Sequence, residues 1–265
     1  MTTHIDERFS LACEIAQQAG ALALEYFRDF AGLTVHSKGV QDMASEADIQ
    51  TEDLIRAAVM QDFPLDAFLG EESSDTFVLE PGKGTWVVDP IDGTQPFVHG
   101  IPSWCISIAW VEGRQIQLGV VFDPVARELY AASAGKGASL NGNPIQAAAA
   151  CKLTDGMVCV GYSNRVSPEA TLGPLGRLMH AKGMYHRNGS GALSLAYVGA
   201  GRLIGYFEPH MNAWDFAAGA IIVREAGGRT NDCLPTPQTI VDGGLMVAAA
   251  KGVYDELWSL VAVEG

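Results

Sequence analysis

Trp86-Val87-Val88-Asp89-Pro90-Ile91-Asp92-Gly93-Thr94 is the stretch on which the reading of this chain turns. Trp86, Val87 and Val88 read as a short buried strand, set off upstream by Pro81-Gly82-Lys83-Gly84. Pro90 biases Asp89 toward extended backbone and keeps a helix from starting there. Two carboxylates, Asp89 and Asp92, therefore stand three residues apart where the strand ends and the chain turns. Gly93-Thr94 opens a segment whose Pro96 suits a helix's first turn, where no hydrogen-bonded N–H is needed. A helix start offers free backbone N–H groups and a positive dipole end, which together suit a phosphate. Oxygen ligands for a hard cation thus adjoin an anion cradle, as metal-assisted phosphoryl chemistry requires. Asp-Gly is also a common turn, so on this segment alone an acidic turn remains an adequate account.

Two further acidic clusters weaken that plainer account. Gly70-Glu71-Glu72-Ser73 follows the apolar run Ala67-Phe68-Leu69, so it reads as a second strand end delivering a carboxylate. Adjacent strand residues point to opposite faces, which leaves one glutamate for a site and the other for solvent. Residues 214–226 read as a helix closed by Gly227-Gly228, with Asp215 in its first turn. A carboxylate there is favoured by the helix dipole even without a metal. Ala217, Ala218 and Gly219 would let this helix lie close to another element.

Taken together, the chain resembles the inositol monophosphatase family of magnesium-dependent phosphatases. The resemblance rests on Gly70-Glu71-Glu72-Ser73, on residues 86–94 with Phe97-Val98-His99-Gly100-Ile101-Pro102 following, and on residues 214–228. Residues 38–48, Gly189-Ser190-Gly191-Ala192-Leu193 and Gly205-Tyr206-Phe207-Glu208 also fit, so it covers nearly the whole chain in the family's order. One departure stands out: the family usually has Asn two residues after the threonine, where this chain has Gln95-Pro96 after Thr94. That puts in doubt the hydrogen bonding behind the phosphate loop, while the acidic residues are retained.

The resemblance implies Mg²⁺-dependent hydrolysis of a small phosphate monoester, an inositol monophosphate first among them. It places Glu71, Asp89 and the backbone carbonyl of Ile91 on one Mg²⁺, and Asp89, Asp92 and Asp215 on a second. A third, weaker ion would share Glu71 and waters. Thr94 would pair with Asp48 to orient and help deprotonate the attacking water, so Thr94, Asp48, Glu71 and Asp92 carry the chemistry. Backbone N–H groups of Gly93 and Thr94 would hold phosphate oxygens. Glu208 would bind substrate hydroxyls, Ser190 and Gly191 would form the pocket wall, and Lys38 would stand at the rim. Lithium sensitivity and a symmetric homodimer are implied as well. Histidinol phosphate, a sugar phosphate or a nucleotide 3′-phosphate are alternative substrates. A regulatory, protein-binding member is the alternative of another class, since a bacterial relative serves the transcription machinery.

Composition is consistent with this reading. The chain has 265 residues, 48% hydrophobic and 18% charged, and is long enough to bury a substantial core. Its formal net charge of −14 and the absence of a Lys/Arg-rich run disfavour nucleic-acid binding. Five scattered cysteines, without a Cys-x-x-Cys pair, point to reduced thiols and a cytoplasmic protein rather than to zinc or disulfides. No apolar leader core and no apolar run of membrane-spanning length appear, so no membrane partner is expected.

Helices are predicted over residues 9–30 and 48–60, and an antiparallel meander over residues 104–111, 116–122 and 128–132. Residues 137–143 read as a loop or hairpin, and residues 147–150 as a joint between lobes. The second half alternates strands, at 156–161, 203–207 and 244–250, with helices. The pattern supports an α+β protein, which the resemblance sharpens to a layered α-β-α-β-α sandwich of the inositol monophosphatase and sugar phosphatase type. The expected lobes are residues 1–146, with most metal ligands, and residues 147–265, with Asp215 and the specificity residues. Competing motifs fail on context. Residues 199–205 resemble a dinucleotide loop but follow a helix and precede a strand, the reverse of that motif. Gly189-Ser190-Gly191 lacks nucleophile-elbow spacing, and the six histidines contain no His-Glu-x-x-His.

Overall fold

The structure, a computed structural model, describes residues 2–29, 35–39, 42–80 and 82–262, with the side chains of residues 2–3 and 35–44 outside the description. Helix α1 (Thr2–Arg28) leads to a hairpin of β1 (Val35–Gly39) and β2 (Asp42–Ser45), which runs into α2 (Glu46–Asp62). Then come β3 (Ala67–Gly70), β4 (Thr85–Asp92), the short α3 (Thr94–Val98), β5 (Cys105–Glu112), β6 (Gln115–Asp123), β7 (Glu128–Ser133), β8 (Ala138–Leu140) and β9 (Asn143–Pro144). The second half holds β10 (Met157–Val160), α4 (Glu169–His180), β11 (Met184–His186), α5 (Gly191–Gly199) and β12 (Gly205–Met211). It closes with α6 (Ala213–Glu225), β13 (Arg229–Thr230), α7 (Thr239–Asp242), β14 (Gly244–Ala249) and α8 (Tyr254–Val261).

Strands β3 to β9 form a seven-stranded sheet in sequence order, antiparallel except for the parallel β3–β4 pair. The predicted meander is β5-β6-β7, and residues 137–143 make the β8-β9 hairpin. A five-stranded mixed sheet has the order β11-β10-β12-β14-β13. Helices α1 and α2 cover the outer face of the larger sheet, α5 and α6 lie between the sheets, and α4 and α8 cover the far face of the smaller one. This is the layered α-β-α-β-α arrangement. No helix among the described residues is long and apolar enough to cross a membrane.

The middle layer is tight because small residues permit it. A Cβ on Gly119 of β6 would lie 2.6 Å from the Ala218 carbonyl oxygen, and one on Gly219 would lie 2.4 Å from Leu195 of α5. The run Ala217-Ala218-Gly219 thus brings α6 onto β6 and α5 together, and the buried core runs through both sheets at this layer. On the outer side, Asp66 accepts from Trp86 Nε1 at 2.9 Å, Trp110 Nε1 at 3.1 Å and Arg8 Nε at 2.7 Å, pinning α1 beside β3.

In the first half, two boundaries differ from expectation by more than two residues. Helix α1 begins at Thr2 rather than at residue 9, its polar first turns being carried by the apolar face that follows. Strand β4 does not end before Pro90 but continues to Asp92, with every residue buried. Pro90 has no N–H for the ladder, and the register with β5 shifts between Asp89 and Asp92.

Candidate active site

That irregularity in β4 shapes the site. Asp89 pairs with Ser107 and Asp92 with Cys105, so two carboxylates leave one buried strand on either side of a proline bulge. Asp89 Oδ1 accepts the Ile91 N–H at 3.0 Å, which closes the turn over Pro90. Gly93 follows at φ 100°, and a Cβ there would lie 2.8 Å from the Ser103 carbonyl oxygen, so both conformation and space call for glycine.

Three helix starts supply the remaining order. Asp48 is the third residue of α2, and its Oδ2 accepts the Ser45 N–H at 2.8 Å and the Ser45 hydroxyl at 2.6 Å. Its Oδ1 accepts the Thr94 hydroxyl at 3.3 Å. Thr94 Oγ1 also lies 3.3 Å from the Ile91 carbonyl oxygen. Asp215 holds the same position in α6, where Oδ2 accepts the Asn212 N–H at 3.0 Å. Asp92 sits at the head of α5, accepting Ala192 N–H at 2.6 Å and Gly191 N–H at 3.3 Å. Carboxylates at helix N-termini are favoured by the dipole and by the free N–H groups there. The spacing Ser45-x-x-Asp48 was a legible capping pattern, and it explains why Asp48 is buried yet fixed.

One ligand oxygen from each of Asp89, Asp92 and Asp215 falls within 4.8 Å of the others, a group able to hold a metal ion. Glu71, just past β3, lines the same cleft and acts on Asp89 by charge and hydrogen bonding. Burial, then the charges of Glu71, Asp92 and Asp215, push the Asp89 carboxyl well above its ordinary range. Burial likewise raises Asp215 to about 8, with the charges of Asp92 and Glu208 adding to it. Asp92 is raised by burial too, but hydrogen bonds from Ser190, Ala192 and Gly191 work against the rise. Such mutual repulsion is what a divalent cation relieves, and an all-carboxylate set with the Ile91 carbonyl nearby suits a hard cation.

The opposite wall is built on β12. Glu208 is mostly buried, and burial raises its carboxyl to about 7, against a hydrogen bond from the Tyr206 hydroxyl at 2.5 Å. A Cβ on Gly161 would meet Glu208 Oε2 at 2.0 Å, so the end of β10 must be bare for Glu208 to lie there. Ser190 and Gly191 do line the cleft, yet Ser190 Oγ also donates to Asp92 Oδ2 at 2.5 Å. Lys38 lies on β1, and its side chain is outside the described residues. His99 and His210 line only the outer cleft.

Several residues around the site went unread in the sequence. Glu52 of α2 is buried and accepts the Glu72 N–H at 2.8 Å and Arg56 at 2.9 Å, bracing the turn that carries Glu71. Glu72 itself is half-buried rather than solvated. Tyr206 sits two residues before Glu208 and so shares its face, a period-two signal available in the sequence.

A layered α+β fold with an acidic, oxygen-donor cleft is the class of architecture this chain presents. The chain matches the inositol monophosphatase family over residues 4–262 and belongs to that family. It is 38% identical over 250 residues to an inositol-1-monophosphatase of Mesorhizobium japonicum, covering 94% of this chain and 93% of that one. It is also 34% identical over 226 residues to the Nus factor SuhB of Escherichia coli, covering 84% of each. The extragenic suppressor protein SuhB of Bartonella henselae superposes with a TM-score of 0.88 at 31% identity, over 96% of this chain and 97% of that one.

Proposed function

We propose that the chain hydrolyses a small phosphate monoester with Mg²⁺, an inositol monophosphate being the preferred ester. The observation that carries this is the convergence of Asp89, Asp92 and Asp215, with Glu71, on a cleft whose opposite wall holds Glu208. Glu71, Asp89 and the Ile91 carbonyl would hold one ion, Asp89, Asp92 and Asp215 a second, and Glu71 would share a third. Bound there, Mg²⁺ supplies Lewis acidity toward a water and positive charge for the phosphate oxygens.

The chain's own residues do the rest. Thr94 Oγ1 takes a proton from the attacking water as it passes its own to Asp48 Oδ1, while Ser45 holds Asp48 by Oδ2. Gly93 and Thr94 N–H groups hold phosphate oxygens at the start of α3. Glu208 accepts from a polyol hydroxyl with the oxygen that Tyr206 does not use. Two to three ions, inhibition by Li⁺ and a homodimer belong to the same proposal and rest on the family resemblance, and a cytoplasmic location rests on the scattered, unpaired cysteines. Phosphate release from a panel of esters, with Mg²⁺ and with chelator, tests it. Full activity in excess chelator would sink the mechanism, and a monomer by light scattering at micromolar concentration would remove the dimer.

A second reading draws on the relatives named Nus factor SuhB: a role exerted by binding other proteins. A metal-loaded protein that releases phosphate from no ester of the panel would favour it.

A further inference from the structure

The turn before α5 carries an amide that belongs neither to the carboxylate group nor to the Glu208 wall. Asn188 lines the inner cleft, two residues ahead of Ser190. Its Oδ1 accepts the Ser190 N–H at 3.0 Å, and the Ser194 hydroxyl lies 2.8 Å from the same oxygen. A backbone N–H can only donate, so the amide cannot be turned end for end. That leaves Nδ2 buried with no acceptor among the described residues. A buried donor without a partner costs stability, and an apolar side chain of similar size would avoid the cost. Gly189, between the two residues, takes φ 92°, and a Cβ on it would lie 2.7 Å from Pro96 Cγ of α3. Pro96 is where the chain departs from the family pattern, so this packing of the turn is the chain's own.

The contacts continue from Ser190 into the carboxylate group. Its hydroxyl donates to Asp92 Oδ2, and the Ala192 N–H reaches the same oxygen at 2.6 Å. Ser190, Ser194 and Asp92 are all buried. Asn188 Oδ1 therefore stands one hydrogen-bonded residue away from a carboxylate of the candidate metal group.

We infer that Asn188 is a positioning residue, which fixes the Ser190 turn through Oδ1 and, through Ser190, sets the Asp92 carboxylate for a cation. The use of a cation rests on the phosphatase reading of the same cleft. The rival account is an ordinary turn residue, whose loss lowers overall stability and leaves Asp92 where it was.

Two measurements on Asn188→Leu separate these accounts: amide hydrogen exchange by NMR in chelator, and calorimetric titration with Mg²⁺. Exchange at the Ala192 N–H should quicken about fivefold, the worth of one hydrogen bond, while amides of the β5–β6 pair keep their wild-type rates. Mg²⁺ affinity should fall by a similar factor, about fivefold. Asn188→Ala gives the same readings should the leucine variant not fold. Asn188→Asp keeps the acceptor oxygen and should restore protection at Ala192. Wild-type exchange at Ala192 in the leucine or alanine variant overturns the assignment. So does faster exchange spread equally over β5 and β6, or faster exchange with unchanged Mg²⁺ affinity. A wild type that hydrolyses no ester counts instead against the phosphatase reading, and the exchange measurement, which needs neither metal nor ester, still decides Asn188.

Discussion

The Ser190 hydroxyl donates to Asp92 Oδ2 across 2.5 Å, so the residue before α5 is held by the last carboxylate of β4. Ala192 N–H at 2.6 Å reaches the same oxygen, and the Cys105 thiol approaches it at 3.8 Å. Asp92 thereby caps a helix that belongs to another layer, and a carboxylate of the candidate metal group is tied to the cleft wall at Ser190. The two tasks that the sequence assigns to separate residues share one carboxylate.

Ser190→Ala should therefore act on the metal and not only on the pocket wall. Removing this donor takes away a hydrogen bond that holds the Asp92 carboxyl down. A bond to a charged group is worth about 1.5–3 kcal/mol, and the remaining N–H donors should keep the loss near the lower figure. Calorimetric titration should show Mg²⁺ affinity about tenfold weaker, with Ser190→Thr close to wild type. Unchanged affinity in Ser190→Ala would show that Asp92 does not depend on this contact.

Metal removal should reveal a distinctive pH dependence. The folded state holds the Asp215 carboxyl up to about 8 from an ordinary 3.8, so without metal the fold binds this proton more tightly than the unfolded chain does. The stability it contributes is complete below about pH 4 and is lost as pH climbs through about 8. Asp89 is raised in the same direction. Thermal midpoints in chelator should fall from pH 5 to pH 8, the fall should shrink in Asp215→Asn, and Mg²⁺ should stabilise far more at pH 8 than at pH 5. A chelator-treated protein that gains stability over that interval would contradict the repulsion argument.

Much of this site was legible in the chain because its carboxylates sit at places with strong local signals. Asp89 and Asp92 flank a proline at a strand end, and Asp215 opens a helix with a clear glycine stop. What stayed hidden depends on contacts between distant segments. Glu52 reads as one more charge on an amphipathic helix, and only the fold shows it braced under Glu72, twenty residues on. Ser190 reads as a pocket residue, because nothing local to it announces Asp92, 98 residues earlier. The extent of β4 was missed because a proline reads as a stop, whereas the sheet absorbs it as a bulge. The pairing Ser45-x-x-Asp48 was a signal within reach of periodicity and capping rules, and it fixes the carboxylate beside Thr94.

The brace under Glu71 should be sensitive to a single methyl group. A Cβ on Gly70 would lie 2.3 Å from the Glu52 carboxylate, so Gly70→Ala must displace either Glu52 or the turn it holds. Overpacking of this kind costs about 1–3 kcal/mol. Thermal denaturation should show that loss, and Mg²⁺ affinity should drop with it because Glu71 is the next residue. Wild-type stability and affinity together would show that the turn has room the structure does not display.

The last prediction separates recognition from chemistry at Glu208. Its carboxyl titrates near 7, because burial raises it against the Tyr206 hydroxyl and the charges of Arg187 and Arg165. If Glu208 recognises the alcohol, it would accept from a polyol hydroxyl as a carboxylate above that pH and as a weaker, neutral acceptor below it. The ratio of kcat/KM for inositol 1-phosphate to that for an aryl phosphate without hydroxyls should therefore rise as pH passes through 7. Glu208→Gln should flatten that rise and cost the polyol about 1.5–3 kcal/mol of transition-state binding, the worth of a hydrogen bond to a charged group, while the aryl ester loses much less. Tyr206→Phe should act through the same carboxylate. Without its donor the buried Glu208 keeps its proton to higher pH, so the rise should move upward without changing the aryl ester's own profile. A substitution at Glu208 that slows both esters equally, or a preference flat from pH 6 to pH 8 in the wild type, would remove Glu208 as the residue that recognises the alcohol.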